Sequence, residues 1–216
     1  MIRIVIADDH AIVREGLKRI VAEAGEFTVV GEAADGNEVL RLAREREFEV
    51  LVLDLSMPGR SGMELIKLVR AEKNAPRILV LSMHQELQYA VRAIKSGASG
   101  YLTKESAPSQ LVQAIRKIAG GGAFISAEVA EQLALGAMPG GDRAGAPHES
   151  LSDREFEVFR LIAAGVSVTD IAAQLHLSVK TVSTHKANLM QKMGLSNQSE
   201  LIRYALQHGL TDPLSS

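Results

Sequence analysis

Val50-Leu51-Val52-Leu53-Asp54-Leu55-Ser56-Met57-Pro58-Gly59-Arg60-Ser61-Gly62 is a short, wholly apolar run that stops at a carboxylate. A run of that length without polar alternation predicts a strand covered on both faces. An acid at its carboxyl end is a poor choice for stability and a good one for a site, because ligands of open α/β sheets bind just beyond the strand ends. Ile4-Val5-Ile6-Ala7 followed by Asp8-Asp9 repeats the construction.

Outward from these two runs, residues 1–119 alternate between short apolar stretches and helix-period segments. Strands are predicted over residues 2–7, 27–31, 50–53, 78–81 and 101–102. Amphipathic helices are predicted over 12–24, 37–46, 63–72, 87–96 and 110–119. In the fourth of these, Ala90, Val91 and Ile94 recur at helical spacing. Five βα units imply an α/β fold: a five-stranded parallel, doubly wound sheet with right-handed crossovers.

The texture changes after Ala119. Gly120-Gly121-Gly122 stops a helix, residues 126–135 suit one more with Ser126 as its cap, and residues 136–150 are rich in Gly, Ala and Pro. Residues 120–150 are therefore expected to link two domains. From Leu151 to Ser216 the pattern is all-α, with four helices. Ser152-Asp153-Arg154-Glu155 has the form of a capping box. The first helix ends at Gly165. A second is expected over 169–176, a third over 179–193 with Ser178 as cap and Gly194 as stop, and a fourth over 198–207 closed by Gly209.

Composition narrows the function. The chain of 216 residues has a net charge of −2, is 46% hydrophobic and has no cysteine. Disulfides, thiolate metal sites and cysteine nucleophiles are excluded. No apolar run approaches the roughly 20 residues of a membrane helix, and Met1-Ile2-Arg3-Ile4 enters a strand at once, without the layout of a signal peptide. A soluble, cytoplasmic protein with no membrane partner is expected.

Three carboxylates, Asp8, Asp9 and Asp54, would crowd one end of the sheet and repel unless a cation is present. Mg2+ suits such a site because it takes oxygen ligands and keeps several waters. Ser82 follows Leu79-Val80-Leu81, and Lys104 follows Tyr101-Leu102-Thr103. A hydroxyl, an ammonium, a divalent cation and a carboxylate together make a phosphoryl-binding set.

With Asp8-Asp9, Asp54 and its following loop, Ser82, and Gly97-Ala98-Ser99-Gly100-Tyr101-Leu102-Thr103-Lys104 in order, residues 1–119 resemble the receiver domain of two-component response regulators. The resemblance implies that Asp54 accepts a phosphoryl group from a sensor histidine kinase. It implies Mg2+ ligation by Asp9, Asp54 and the backbone carbonyl of Ser56, with Asp8 acting through water. It makes Ser82 and Tyr101 a switch pair, Ser82 moving toward the phosphoryl group and Tyr101 turning inward behind it. Many receivers have Lys-Pro where this chain has Lys104-Glu105, so the loop after Lys104 is expected to differ. Aspartate-nucleophile phosphatases carry a second acid two residues after the nucleophile; here that residue is Ser56. The chain is thus expected to hold a phosphoryl group, with at most slow autodephosphorylation, and not to be an enzyme.

In the C-terminal segment, Ile171, Ala172 and Leu175, the turn Leu177-Ser178, and Val182 have helix-turn-helix spacing. The six bases of residues 151–216 (Arg154, Arg160, Lys180, Lys186, Lys192, Arg203) are balanced by six acids (Asp153, Glu155, Glu157, Asp170, Glu200, Asp212). Overall charge therefore gives no case for nucleic acid. The third helix alone does: it carries Lys180, Lys186 and Lys192 and no acid. Phosphate contacts supply most of the affinity for DNA, so modest monomer binding and a need for a homodimer are expected. The segment from Leu151 to about Leu210 resembles the LuxR-type DNA-binding domain. That resemblance places Ser183, Thr184 and Ala187 toward base edges and Lys180, His185, Lys186 and Lys192 near phosphates, with Thr181 and Asn188 on the same polar surface. Many members have lysine in place of Ser183, so an unusual or partly shape-based preference is implied here.

Receiver plus LuxR-type domain is the plan of NarL/FixJ-type regulators. The expectation is a transcription regulator of double-stranded DNA, controlled at Asp54 through release of the recognition helix, dimerisation or both. A phosphorylation-independent dimeric regulator and an aspartyl-phosphate phosphatase-like enzyme are the alternatives.

Overall fold

A computed structural model of the chain describes residues 1–57, 62–83, 87–137, 146–175 and 177–210. It divides into two compact units, Met1–Leu135 and Gly136–Ser216.

The first unit alternates β1 (Ile2–Ala7), α1 (Ala11–Glu23), β2 (Phe27–Ala33), α2 (Gly36–Glu45), β3 (Val50–Asp54), α3 (Gly62–Arg70), β4 (Arg77–Ser82), α4 (Leu87–Lys95), β5 (Gly100–Thr103) and α5 (Ala107–Ala119). All strands are parallel, in the order β2-β1-β3-β4-β5. Successive residues of a strand point to opposite faces. Ile4, Ile6, Val50, Val52, Leu79 and Leu81 accordingly pack in one core with Leu17 and Val21 of α1 and Leu111, Ile115 and Ile118 of α5. On the other face lie α2, α3 and α4, which contact one another in turn; Leu42 of α2 sits beside Val5 of β1, both close to Gly31. Covering on both faces is the physical reason the strands read as unbroken apolar runs.

The sequence expectations hold for all five strands and helices, with ends displaced by at most three residues. The largest shift is in α5, which begins at Ala107 and not at Gln110. The cause lies just after Lys104. Thr103 and Ser106 close a turn through their side chains (2.9 Å) and through Ser106 N–H to the Thr103 carbonyl (3.0 Å), and Pro108 then fits the first turn of the helix.

The segment after α5 departs from the expected linker. Phe124 adds a parallel bridge to the free edge of β5: Tyr101 N–H donates to its carbonyl (2.9 Å), and its own N–H donates to Ser99 O (3.1 Å). An exposed sheet edge is thereby covered. A methyl group on Gly100 would lie 3.0 Å from both Leu79 Cδ1 and Phe124 O, so this close approach requires glycine. Helix α6 (Ala127–Ala137) follows, with Ser126 Oγ accepting from Val129 N–H (3.3 Å) as its capping role predicts.

The second unit contains a 3-10 helix (Pro147–Ser150), then α7 (Asp153–Ala163), α8 (Val168–Gln174), α9 (Val179–Met193) and α10 (Gln198–Gln207). The capping box is present: Ser152 Oγ accepts from Glu155 N–H (3.3 Å) and Glu155 Oε2 from Ser152 N–H (2.8 Å). Ser178 caps α9 through Thr181 N–H (3.0 Å), and Gly194, at φ 65°, ends it. The 3-10 helix lies where the sequence reads as linker. Its His148 is buried, with Nδ1 2.8 Å from the Tyr204 hydroxyl of α10 and its ring beside Phe156 and His208. Parts of the loop after Asp54 (58–61), of the linker (138–145) and of the expected second helix (His176) lie outside the described residues.

Candidate functional site

The register of the sheet brings its carboxyl ends into line. Ala7 pairs with Leu53, Asp54 with Leu81, and Ser82 with Thr103. The residues at and just beyond these positions are Asp8, Asp54, Ser82 and Lys104, so one edge gathers groups that lie as many as 96 positions apart in sequence. Asp8, Asp54 and Ser82 are buried to 2% exposure or less.

Lys104 Nζ donates to Asp8 Oδ2 (2.7 Å) and to Asp54 Oδ2 (2.8 Å), bridging the two strands. The second oxygen of Asp54 accepts from Ser56 N–H (3.0 Å), and Asp8 Oδ1 accepts from His10 N–H (2.8 Å). Asp9 lies at the mouth, more open to water than Asp8. The backbone of Asp8 is held from α1, where Arg14 Nη1 donates to its carbonyl (2.6 Å).

Charge is unbalanced here. Two buried carboxylates share one ammonium, and a third, Asp9, stands beside them next to His10. Burial pushes the Asp54 carboxyl above the ordinary carboxylate range, against the opposing hydrogen bonds from Lys104 and Ser56. Burial works against the Lys104 ammonium, but its bonds to Asp54 and Asp8 outweigh it and hold that group above its ordinary value. The two shifts have different causes: loss of solvation for the carboxyl, and carboxylate partners for the ammonium. Donor atoms of Asp8, Asp9, His10 and Asp54 all lie within 4.8 Å of one another, a spread suited to one metal ion.

Ser82 is fully buried, and its carbonyl accepts from Lys104 N–H (2.8 Å), which ties β4 to the base of the Lys104 side chain. Tyr101 is buried at the opposite end of the short β5. The sequence reading missed His10. Its position beside Asp9 was the available signal; the imidazole Nδ1 lies 2.8 Å from Asp9 Oδ1.

In the second unit, Ile171 and Ala172 of α8, Leu175 at its C-terminal cap and Val182 of α9 are all buried, as the helix-turn-helix spacing predicts. Val182, Leu189 and Met193 fix the inner side of α9. Lys180, Ser183, Thr184, Ala187, Asn188 and Lys192 are exposed, and Thr181, His185 and Lys186 are half-buried. Two of the bases are engaged. Lys186 Nζ donates to Gln198 Oε1 (2.8 Å), and Lys192 Nζ donates to Glu155 Oε2 (2.7 Å), the same oxygen that completes the capping box. Burial, with the Arg154 guanidinium nearby, holds the His185 imidazole below its ordinary pKa.

Comparison with known proteins agrees with both units. Residues 4–116 match the response regulator receiver domain, and residues 149–205 match the bacterial regulatory proteins of the luxR family. The chain is a two-component response regulator of the NarL/FixJ type. This regulator is 34% identical to the response regulator UvrY of Escherichia coli K12 over 97% of its own length and 96% of UvrY. It is 36% identical to the response regulator GacA of Pseudomonas aeruginosa over the full length of both. Among solved structures it resembles RcsB of Salmonella enterica serovar Typhimurium bound to promoter P1flhDC in the presence of the phosphomimetic BeF3- (TM-score 0.66, 31% identity, 94% of this chain and 97% of that one). The regulator is thus a DNA-binding transcriptional response regulator. No described helix is long and apolar enough to cross a membrane.

Proposed function

We propose that this regulator is switched by transfer of a phosphoryl group from a sensor histidine kinase to Asp54. The observation that carries the reading is the Lys104 bridge between Asp8 and Asp54 at the end of the sheet. An ammonium at that place is shared by two carboxylates in the resting protein and can move onto a phosphoryl oxygen once Asp54 carries the acyl phosphate. Ser82, buried at the adjoining strand end, supplies the hydroxyl that binds a second phosphoryl oxygen. Tyr101 is the buried ring that responds as Ser82 moves.

Asp8, Asp9, Asp54 and the Ser56 carbonyl fit Mg2+. Their donor set is hard oxygen, and burial leaves the Asp54 carboxylate short of solvation that a cation would replace. When bound, the ion supplies charge neutralisation for the carboxylates and the incoming phosphoryl oxygens. Ser56, in the place where a hydrolytic enzyme would need an acid, offers Asp54 only its N–H. The aspartyl phosphate is therefore long-lived, which suits a switch and not a turnover catalyst.

The second unit reads double-stranded DNA through α9 in the major groove. Lys180 and Lys186 meet phosphates, and Ser183, Thr184 and Ala187 face base edges, flanked by Thr181 and Asn188. Lys192 reaches a phosphate only by exchanging its bond to Glu155. His185, whose imidazole pKa burial lowers, lies near the phosphates with these lysines. With six bases balanced by six acids in residues 151–216, one copy binds weakly, and phosphorylation acts by freeing α9, by pairing two copies, or by both. Such a regulator works in the cytoplasm.

The test uses a small-molecule phosphodonor with Mg2+, intact-mass measurement of the protein, and DNA binding and dimerisation of wild type and Asp54→Ala. Wild type should gain one phosphoryl group and bind DNA more tightly, and Asp54→Ala should do neither. Equal DNA binding by both proteins, with and without donor, would leave a phosphorylation-independent regulator. Rapid release of inorganic phosphate over many turnovers would instead mark an enzyme.

A further inference from the structure

We infer that His10 selects the cation of the acidic site. Its imidazole adds a nitrogen donor that makes the site take a borderline cation, Zn2+ above all, far more tightly than the carboxylates alone would. The inference rests on the reading of Asp8, Asp9 and Asp54 as a divalent-cation site.

His10 is mounted rigidly. Its own N–H donates to Asp8 Oδ1 (2.8 Å), and its carbonyl accepts from Val13 N–H (3.0 Å) and Arg14 N–H (3.1 Å) at the head of α1. From that mount Nδ1 lies 2.8 Å from Asp9 Oδ1 and 3.4 Å from Asp8 Oδ1. Neighbouring ligands of a tetrahedral Zn2+ ion with bonds of about 2.0–2.1 Å stand about 3.3–3.4 Å apart. The imidazole already keeps that spacing from Asp8 Oδ1, and its contact with Asp9 Oδ1 has to open by only about 0.5 Å to reach it. Its side chain is 69% exposed, so a cation can reach it from water.

Lys104 does not compete for the same atoms. It bonds Oδ2 of Asp8 and Oδ2 of Asp54, whereas His10 approaches Oδ1 of Asp8 and Asp9. The two cationic demands, one fixed and one exchangeable, are met by different oxygens of Asp8.

Chemistry decides the preference. Mg2+ takes oxygen ligands and retains its waters, so an imidazole at the mouth adds little to its binding. Zn2+ accepts imidazole readily and Mn2+ less so, and affinity for a mixed N/O site is higher for Zn2+ than for Mn2+. A Zn2+ ion held by His10 as well as by the carboxylates would exclude Mg2+ from the phosphoacceptor site, making phosphorylation of Asp54 sensitive to which cation is present.

Calorimetric titration of the full-length protein with Mg2+, Mn2+ and Zn2+, separately, tests this. The proteins are wild type, His10→Ala, His10→Asn and Asp8→Asn. The chain has six histidines, so the Zn2+ event that counts is the one Asp8→Asn also weakens. Both His10 variants should weaken that event tenfold or more, Mn2+ by an intermediate factor, and Mg2+ by less than twofold. Unchanged Zn2+ binding, or an equal loss for Zn2+ and Mg2+, overturns the role of His10. If wild type binds no Mg2+ at all, the cation-site reading fails first and this inference falls with it. If wild type binds Mg2+ and the His10 variants match it for every cation, only this inference is lost.

Discussion

The carboxyl edge of the receiver sheet and the outer face of α9 both collect charged and polar side chains, and they do so on opposite terms. At the sheet edge Asp8 and Asp54 are almost wholly buried, and one lysine serves both. On α9 Lys180, Ser183, Thr184 and Asn188 stand in water. Charge removed from water is costly unless it is paired, so its presence at the sheet edge is evidence of a site. Charge left in water costs little, so an exposed lysine on α9 says nothing until a partner is identified. The acidic edge thus argues for its function by its energetics, and the helix face argues for its function by its place in a helix-turn-helix.

Removing the bridge should show the larger cost. Lys104→Met leaves two buried carboxylates without their ammonium and should destabilise the receiver by about 3–5 kcal/mol. Denaturant unfolding of the full chain in the absence of divalent cation would measure it, and added Mg2+ should restore part of the loss. A change below about 1 kcal/mol would mean that these carboxylates are far better solvated than their burial implies, and the contrast with α9 would collapse.

Glu155 lies between the two extremes: buried in the second unit, yet bonded to the exposed Lys192. Burial alone would raise its pKa, but the Lys192 and Ser152 hydrogen bonds prevail and hold it below the ordinary value of 4.5. A depressed folded-state pKa contributes stability that is present above 4.5 and lost as pH falls through the lower, folded value. Glu155→Gln keeps a cap acceptor but loses the ion pair with Lys192, so it should cost up to about 1 kcal/mol at pH 7 and flatten the acid limb of the unfolding profile. An unaltered acid limb would show that the pair with Lys192 is not maintained in solution.

The smallest effect on stability belongs to the helix face. Lys180→Ala should change unfolding by less than about 0.5 kcal/mol. Its effect should appear only with DNA: weaker binding across all sequences, and a salt dependence reduced by about one unit of slope. Ser183→Ala should do the reverse, altering preference among sites while leaving the salt slope intact. If Lys180→Ala left the slope untouched, phosphate contact by that residue would be ruled out.

Much of this was legible in the chain. The apolar runs placed all five strands because a strand covered on both faces has no polar alternation to confuse it. The caps Ser126, Ser152 and Ser178 were legible because capping is a local bond between residues three apart. The start of α5 was misplaced by three residues because the turn at Thr103–Ser106 is closed by side-chain bonds that periodicity does not register. The 3-10 helix was read as linker because four residues carry no period; His148 is held there by Tyr204, which lies 56 positions away. The bond from Lys192 to Glu155, 37 positions earlier, was not legible because nothing near Lys192 in sequence points to it.

By itself the sequence determined the order of elements, the acids and lysine at the strand ends, and the helix-turn-helix, since each depends on residues within a few positions of one another. The tertiary structure alone decided who meets whom. Strand order β2-β1-β3-β4-β5 sets β1 beside β3 and so Asp8 beside Asp54. Register then delivers Lys104, from the far edge of the sheet, to both carboxylates. Local propensity fixes which way a side chain faces, but a contact across 50 or 96 positions exists only once strand pairing has closed the intervening chain.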